Sequence, residues 1–389
     1  AEAIVGAIDL ENTNIGVYVS SDVTLSPGDE FVLIRSTNGV TGKPKSISNI
    51  VQKGMASIFD CSVDMQETQV LVKLTRAEVC PALFQGYNAS IALLNFGVDL
   101  AIDRGMQEIT GASEFGKAGI VPFMVFSGKN GDYGSKSQVK VSGISMLAGV
   151  KVKEFEIKSR PLTMGIFCEY GNGKFDSKND FNEVDIKSKG TASYVGGGLL
   201  GRTYFKDNVY CEVSLRIGQT KADYNSADLK DFGSDLKAKY DYSTLYFGSH
   251  LGCGYIHKFN DKLNADLYGK YMFLNQDTKE VVLPSEEKLK FFGANSQRVQ
   301  LGARFNYLMS KHISLLLTAG AALEHEFDGQ VKAAVDNAES INSNLKGNNV
   351  IGEIGLGKDF GKLNVDLGVQ GYGGNKRDLQ AQLKASYIF

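Results

Sequence analysis

Three stretches of this 389-residue chain carry residue types able to do chemistry. The first is Glu324-His325-Glu326, two carboxylates around an imidazole, a set suited to acid–base work. In extended backbone, successive side chains point to opposite faces, so Glu324 and Glu326 share one side and His325 takes the other. A lumenal carboxylate pair bonded to Arg or to a helix is therefore expected there, rather than a catalytic site. The second is GGGLLG at 196–201, which has the G-x-G-x-x-G form. A dinucleotide site needs strand, turn and then helix, whereas RTYFKDNVYCEV continues as a hairpin, so these glycines read as clearance for a helix or for strand coiling. The third is the cysteine set Cys61, Cys80, Cys168, Cys211 and Cys253, odd in number and without C-x-x-C spacing, which argues against zinc and against a complete disulfide framework. His250, His257, His312 and His325 show no ligand spacing either. No metal, nucleotide or other cofactor is implied.

The elements that position these residues follow from composition and period. With 42 basic and 44 acidic residues the net charge is −2, and no long like-charge run occurs, which disfavours nucleic acid as a partner. The 44 Gly, 17 Tyr and 22 Phe against 6 Pro and no Trp favour many strands joined by tight turns. No window holds 18 consecutive apolar residues, so a membrane-spanning helix is excluded on length. The chain starts at Ala1 without a charged-then-apolar leader, as expected of a processed or excised fragment whose export signal lies elsewhere.

From about residue 120 onward, long runs of alternating polarity are separated by polar turns. The clearest are 162–171, 209–218, 243–255, 263–271, 299–307, 363–372 and 379–389, with less regular ones near 119–127, 138–152, 190–205, 313–327 and 349–359. These runs exceed the 5 to 6 residues usual in soluble sandwiches and suit the roughly 9 to 11 that a membrane-crossing strand needs. About twelve of them, an even number, permit closure into an antiparallel barrel, which leaves no unpaired edge in lipid. The segments 172–189, 275–297 and 329–348 read as long outer loops, and 205–208, 259–262, 309–312 and 359–362 as short periplasmic turns. Cys168, Cys211 and Cys253 fall on the apolar, lipid-facing phase.

Upstream, the period changes. After Pro81, Leu83, Tyr87, Ile91, Leu94, Val98 and Ile102 recur at steps of three or four, as on one helix face, with Asn88, Asn95, Asp99 and Asp103 between them. At about 1.5 Å per residue the segment 82–108 spans roughly 40 Å, enough to thread a pore. Residues 1–80 return to short β-like runs, such as 30–42 and 69–76, with turns at 26–30 and 37–44.

This order of parts, with GDEFVLI before the helix, KAGIVPFMVFSG and VSGISMLAGV (141–150) after it and ASYIF at the end, resembles the C-terminal part of an autotransporter of type V secretion. The resemblance implies an all-β membrane protein. Residues 1–80 would be the C-terminal end of a β-helical passenger, 81–116 a linker with a pore-spanning α-helix, and 117–389 a twelve-stranded translocator barrel in the bacterial outer membrane, with 1–80 at the cell surface. It implies export and anchoring of the chain's own passenger, with the barrel-assembly machinery, periplasmic chaperones, outer-membrane lipid and lipopolysaccharide as partners. A monomer is expected. Leu383, Ala385, Tyr387 and the terminal Phe389 match the family's assembly signal.

On the inward phase, Glu212, Arg216, Asp266, Lys270, Arg298, Arg304, Glu353 and Lys384 supply nearly balanced charges for a lumenal network that would seat the helix and seal the pore. The chain departs from the family in its five cysteines, its lack of Trp and the absence of the Asn-Asn pair used for self-cleavage in some members. Asn88 and Asn95 therefore read as uncleaved, no catalytic residue is assigned, and a bridge between Cys61 and Cys80 stays open. The alternative class is an outer-membrane channel or barrel hydrolase with an N-terminal plug.

Overall fold

The short, polar-ended runs before residue 80 pair with one another and not with the long strands that follow. The computed structural model describes residues 6–388 apart from 110–118, 135–136, 158–159, 182–183, 207, 232–233, 311–313, 337 and 343–344. The first strands are β1 (Ile8–Asp9), β2 (Asn14–Val19), β3 (Glu30–Arg35), β4 (Val40–Thr41), β5 (Ser46–Lys53), β6 (Ser57–Met65) and β7 (Gln69–Val79). Two pairs, β1 with β4 and β2 with β5, are parallel, as successive rungs of a β-helix are. The sheet then turns antiparallel in the order β2-β5-β6-β7-β3 over a core of Val17, Val51, Phe59, Val72 and Leu74.

Pro81 opens the helical segment, where its fixed φ and missing N–H cost nothing. A 3-10 turn (Pro81–Phe84) leads into α1 (Gln85–Leu100), a π turn (Ala101–Gly105) and α2 (Met106–Glu108). The apolar spacing predicts one buried face; instead every residue from 82 to 106 is buried, because a wall of strands surrounds the helix. None of the described helices is long and apolar enough to cross a membrane.

That wall consists of β8 (Ile120–Tyr133), β9 (Ser137–Ile157), β10 (Arg160–Phe181), β11 (Val184–Lys206), β12 (Val209–Lys230), β13 (Lys237–Lys258) and β14 (Leu263–Gln276). It continues with β15 (Lys279–Val282), β16 (Lys288–Ser310), β17 (Leu315–Glu326), β18 (Gln330–Val335), β19 (Ala338–Asn342), β20 (Gly347–Asp359), β21 (Leu363–Gly374) and β22 (Lys376–Tyr387). Each of β8 to β13 pairs with the next, then β14 with β16, β16 with β17, β17 with β20, β20 with β21 and β21 with β22. Finally β22 pairs with β8, closing a ring of twelve antiparallel strands. Each alternating run read from the sequence overlaps one of these twelve. The terminal Phe389 lies outside the described residues; Leu383 and Tyr387 are exposed on the outer face, as Ala385 is in part.

The expected long loops are a correction. Residues 172–189 are the upper halves of β10 and β11, 279–288 is largely the β15–β16 hairpin, and 330–342 forms the β18–β19 hairpin paired onto β16. On β10 the outward residues change from Ile166, Cys168 and Tyr170 to Asn172, Lys174, Asp176 and Lys178 while Phe175, Ser177 and Asn179 stay buried inside. Charge there marks where the outer face leaves lipid, not where the strand ends. At the other end, Tyr255, Phe259, Tyr307, Phe360 and Tyr387, 40–60% exposed, ring the barrel beside the short turns, the position of an interfacial aromatic girdle. The cysteine reading needs correcting too: Cys211 and Cys253 are opposed on β12 and β13 and joined by a disulfide, while Cys61, Cys80 and Cys168 are free thiols.

The N-terminal sheet sits on the end of the barrel where the strands extend. Its β5–β6 turn, where Gly54 adopts φ 56°, pushes Met55 and Ala56 into a core shared with Leu283, Leu289, Phe291 and Val335. There the Glu287 carboxylate accepts the Met55 N–H at 2.8 Å and the Ala56 N–H at 3.3 Å. Lys53 pairs with Asp336 at 3.0 Å, and the Val79 N–H donates to Ser340 Oγ at 2.9 Å.

Burial pushes the Glu287 carboxyl above its ordinary range. Between the ordinary and raised values the docked state holds a proton that the released state has lost, so docking weakens as pH rises through that window. The denaturant midpoint at which residues 6–80 become protease-sensitive should therefore fall as pH rises above about 4.5 in the parent, and fall less in Glu287→Gln. An equal fall in both would contradict this.

Candidate functional site

The inward face of every barrel strand is cut off from lipid and, with the helix in place, from most water. Polar side chains there must find partners or cost several kcal/mol each. The helix supplies those partners in tiers.

At the outer end, Tyr87 stacks between Tyr242 and Phe291, with ring centroids 5.0 and 4.6 Å away. Tyr240 Oη donates to the Leu83 carbonyl at 2.7 Å, and Gln85 donates to Asn179 Oδ1 at 2.7 Å. Asn88 donates to Asn342 Oδ1 at 3.0 Å, and Ser90 Oγ lies 3.0 Å from Thr220 Oγ1. Two helix glycines allow this closeness. A Cβ at Gly86 would come within 2.6 Å of Tyr240 Oη, and one at Gly97 would collide with Tyr194 Oη and Arg216.

Midway, Arg216 donates to the Leu94 carbonyl at 3.1 Å while its guanidinium pairs with Glu169 at 2.8 Å. One turn on, Asp99 receives three cations: Arg298 at 2.6 Å, Lys376 at 3.1 Å and Lys129 at 3.2 Å. Arg298 also reaches Glu324 at 3.1 Å, and Lys129 reaches Asp378 at 3.0 Å. The helix thus completes a buried cluster of three cations and three carboxylates contributed by β8, β16, β17, β22 and α1.

The π turn forms the third tier. Asp103 accepts Lys270 at 2.8 Å and lies 3.8 Å from Arg304, which is itself bound to Glu353. Lys270 also donates to the Ile102 carbonyl at 2.9 Å. Arg104 Nε donates to Gln382 Oε1 at 2.6 Å, in space left open by Gly368. Glu108 lies 3.5 Å from Lys384, which pairs with Asp366 at 2.9 Å. Beyond this tier a polar cavity of about 250 Å³ opens among Asn264, Asp266, Asn306 and Thr318 at the short-turn end.

Of the lumenal residues picked from strand phase, Arg216, Lys270, Arg298, Arg304 and Lys384 meet the helix. Glu353 supports Arg304, Glu212 binds Arg202 and lies 3.4 Å from His250, and Asp266 accepts Tyr210 Oη at 2.8 Å beside the cavity. Among the helix positions, Leu83, Tyr87, Asn88, Leu94, Asp99, Ile102 and Asp103 make the contacts above; Ile91, Asn95 and Val98 are buried against the surrounding strands. Glu324 faces in and pairs with Arg298, Glu326 accepts the Gln297 N–H at 2.7 Å, and His325 faces out. The glycines at 196–201 give clearance to strand side chains: Gly196 to Tyr246 and Gly198 to Phe167. The helix residue Leu93 lies instead over Gly143 and Gly173, at 3.1 and 3.2 Å from where a Cβ would stand. Phase reading missed Lys129, Lys376 and Asp378, although all three keep the inward phase of their strands, and it missed Arg104, whose direction depends on the π turn.

A family model described as Autotransporter beta-domain matches residues 125–374. Among solved structures, the chain is similar to the translocator domain of autotransporter NalP from Neisseria meningitidis, with 13% identity, 80% of this chain and 100% of that one covered, and a TM-score of 0.59. It is also similar to the transport unit of AIDA-I from Escherichia coli, with 14% identity, 78% and 99% covered, and a TM-score of 0.53. For the beta domain of the Bordetella autotransporter BrkA the values are 16% identity, 70% and 100% covered, and a TM-score of 0.51. At such identities these likenesses speak for the fold alone. No curated protein matches the chain.

Removing one partner from a buried ion cluster leaves its counter-charges uncompensated, at about 3–5 kcal/mol. Asp99→Ala should therefore lower the temperature at which the folded barrel loses its heat-dependent gel mobility, and adding Lys376→Met should recover part of that loss. An unchanged transition in Asp99→Ala would show that the cluster does not hold the helix.

Proposed function

The chain belongs to the autotransporter beta-domain family, and on that premise we propose how its parts divide the work of a translocator in the bacterial outer membrane. The twelve-stranded barrel spans the membrane, and the polypeptide N-terminal to it is the exported passenger. Residues 1–80 are the end of that passenger and lie outside the cell. The helix stays in the lumen after export as both tether and plug.

One observation carries this reading. The N-terminal sheet sits on the barrel end with the extended strands, and outer-membrane barrels keep short turns toward the periplasm and long segments toward the exterior. The chain therefore enters the lumen from outside and runs inward along α1, and β8 begins near the short-turn end. Transit needs no nucleotide: a passenger that folds outside cannot slip back, and folding supplies the bias. No bond-making chemistry is asked of the barrel, and we assign it none. Leu383, Ala385 and Tyr387, which face outward on β22, belong together with Phe389 to the pattern read by the assembly machinery, and the girdle contacts lipid. An open channel would need a free lumen, whereas residues 82–106 fill this one.

Protease added to intact cells, followed by mass spectrometry, tests the topology. Cuts are expected within residues 6–80, with the helix and the strand segments inside the lipid band intact. Protection of residues 6–80, with cuts only after the outer membrane is permeabilised, would reverse the orientation and overturn the proposal.

A further inference from the structure

Cys211 and Cys253 are direct register partners and carry a disulfide. Their position bears on when that bond forms. Both side chains lie on the outward face, one row inside the Val209–Tyr255 pair at the short-turn end, and their next outward neighbours Val213 and Leu251 are 46% and 60% exposed. In the inserted barrel this surface meets hydrocarbon. Thiol–disulfide exchange requires a thiolate, and apolar surroundings disfavour it. The chemistry is therefore open while the chain is in water and closed once the strands are in lipid.

The bond also closes a sequence separation of 42 residues, which contains both upper arms of the β12–β13 hairpin and its tip. Register in such a hairpin matters because a slip of one residue would turn every lumenal side chain, Glu212 and Arg216 among them, toward lipid. Neither Cys168 nor Cys61 has a cysteine as register partner: Cys168 stands opposite Ala148 and Gly197, and Cys61 opposite Leu74.

We infer that the Cys211–Cys253 disulfide is made in the periplasm before the barrel inserts, and that it staples β12 and β13 in register for assembly. This rests on the outer-membrane reading. The thiolate of one cysteine attacks the disulfide of a periplasmic thiol–disulfide oxidant, expelling one oxidant sulfur as a thiolate. The second cysteine, as a thiolate, then attacks its partner's sulfur in the mixed disulfide. The chain loses two electrons and two protons, and the oxidant leaves as a dithiol. Once inserted, the bond is out of reach of exchange.

In the test, cells making the full chain are pulse-labelled and quenched in acid at intervals. Free thiols are tagged with a PEG-maleimide under denaturing conditions, and folded barrel is distinguished by heat-dependent gel mobility. Cys211 and Cys253 should be untagged in chains that have not yet gained that mobility. The double variant Cys211→Ser with Cys253→Ser should gain it about threefold more slowly or worse. The inference is overturned if the disulfide appears only in folded chains, if both sulfurs are tagged throughout, or if the double variant folds at the parental rate. Fractionation keeps the two readings apart: early oxidation in chains that end up outside the outer membrane would sink the membrane reading while leaving the order of oxidation before folding intact.

Discussion

The hydrocarbon core of a membrane offers no partner to a backbone N–H or C=O, and the architecture depends on that constraint. A sheet can satisfy it only by returning on itself, so β22 must find β8, and the alternation that seats apolar side chains against lipid has to persist to the end of the chain. Closure creates a second condition. The inward faces of twelve strands form a polar tube, and a tube of this width is either a water-filled channel or is filled by protein.

Here α1 and the π turn fill it, and the filling is electrostatic as much as steric. Asp99 neutralises the cations drawn in from β8, β16 and β22, and Asp103 does the same for Lys270 and Arg304. A buried ion cluster contributes little net stability over a well-packed apolar core, but losing one member is costly. Such a cluster specifies one depth and one rotation for the helix. That depth fixes where Pro81 emerges, and hence where the N-terminal sheet meets the extended rim through Glu287, Lys53 and Ser340.

Strand period made most of this legible. Each long run, from the stretch at 119–127 to the closing one, has its strand, and the inward phase picked out Arg216, Lys270, Arg298, Arg304 and Lys384 as residues that turn out to touch the helix. What period cannot carry is relation between strands. Cys211 and Cys253 were each placed on the correct face, yet only register shows that they oppose one another. The charged segments at 172–189 and 330–342 read as loops because their outward residues leave lipid for water, although the inward alternation of Phe175, Ser177 and Asn179 continues. Arg104 was missed because a single π turn shifts the helix phase beyond Leu100.

The central claim is that the helix, held by buried ion pairs, closes the pore. Conductance across a planar lipid bilayer tests it most directly, comparing the full chain with a chain that begins at residue 110. The account predicts that the full chain is nearly closed and that the shortened one conducts steadily through an emptied lumen. Equal conductance from the two would contradict it.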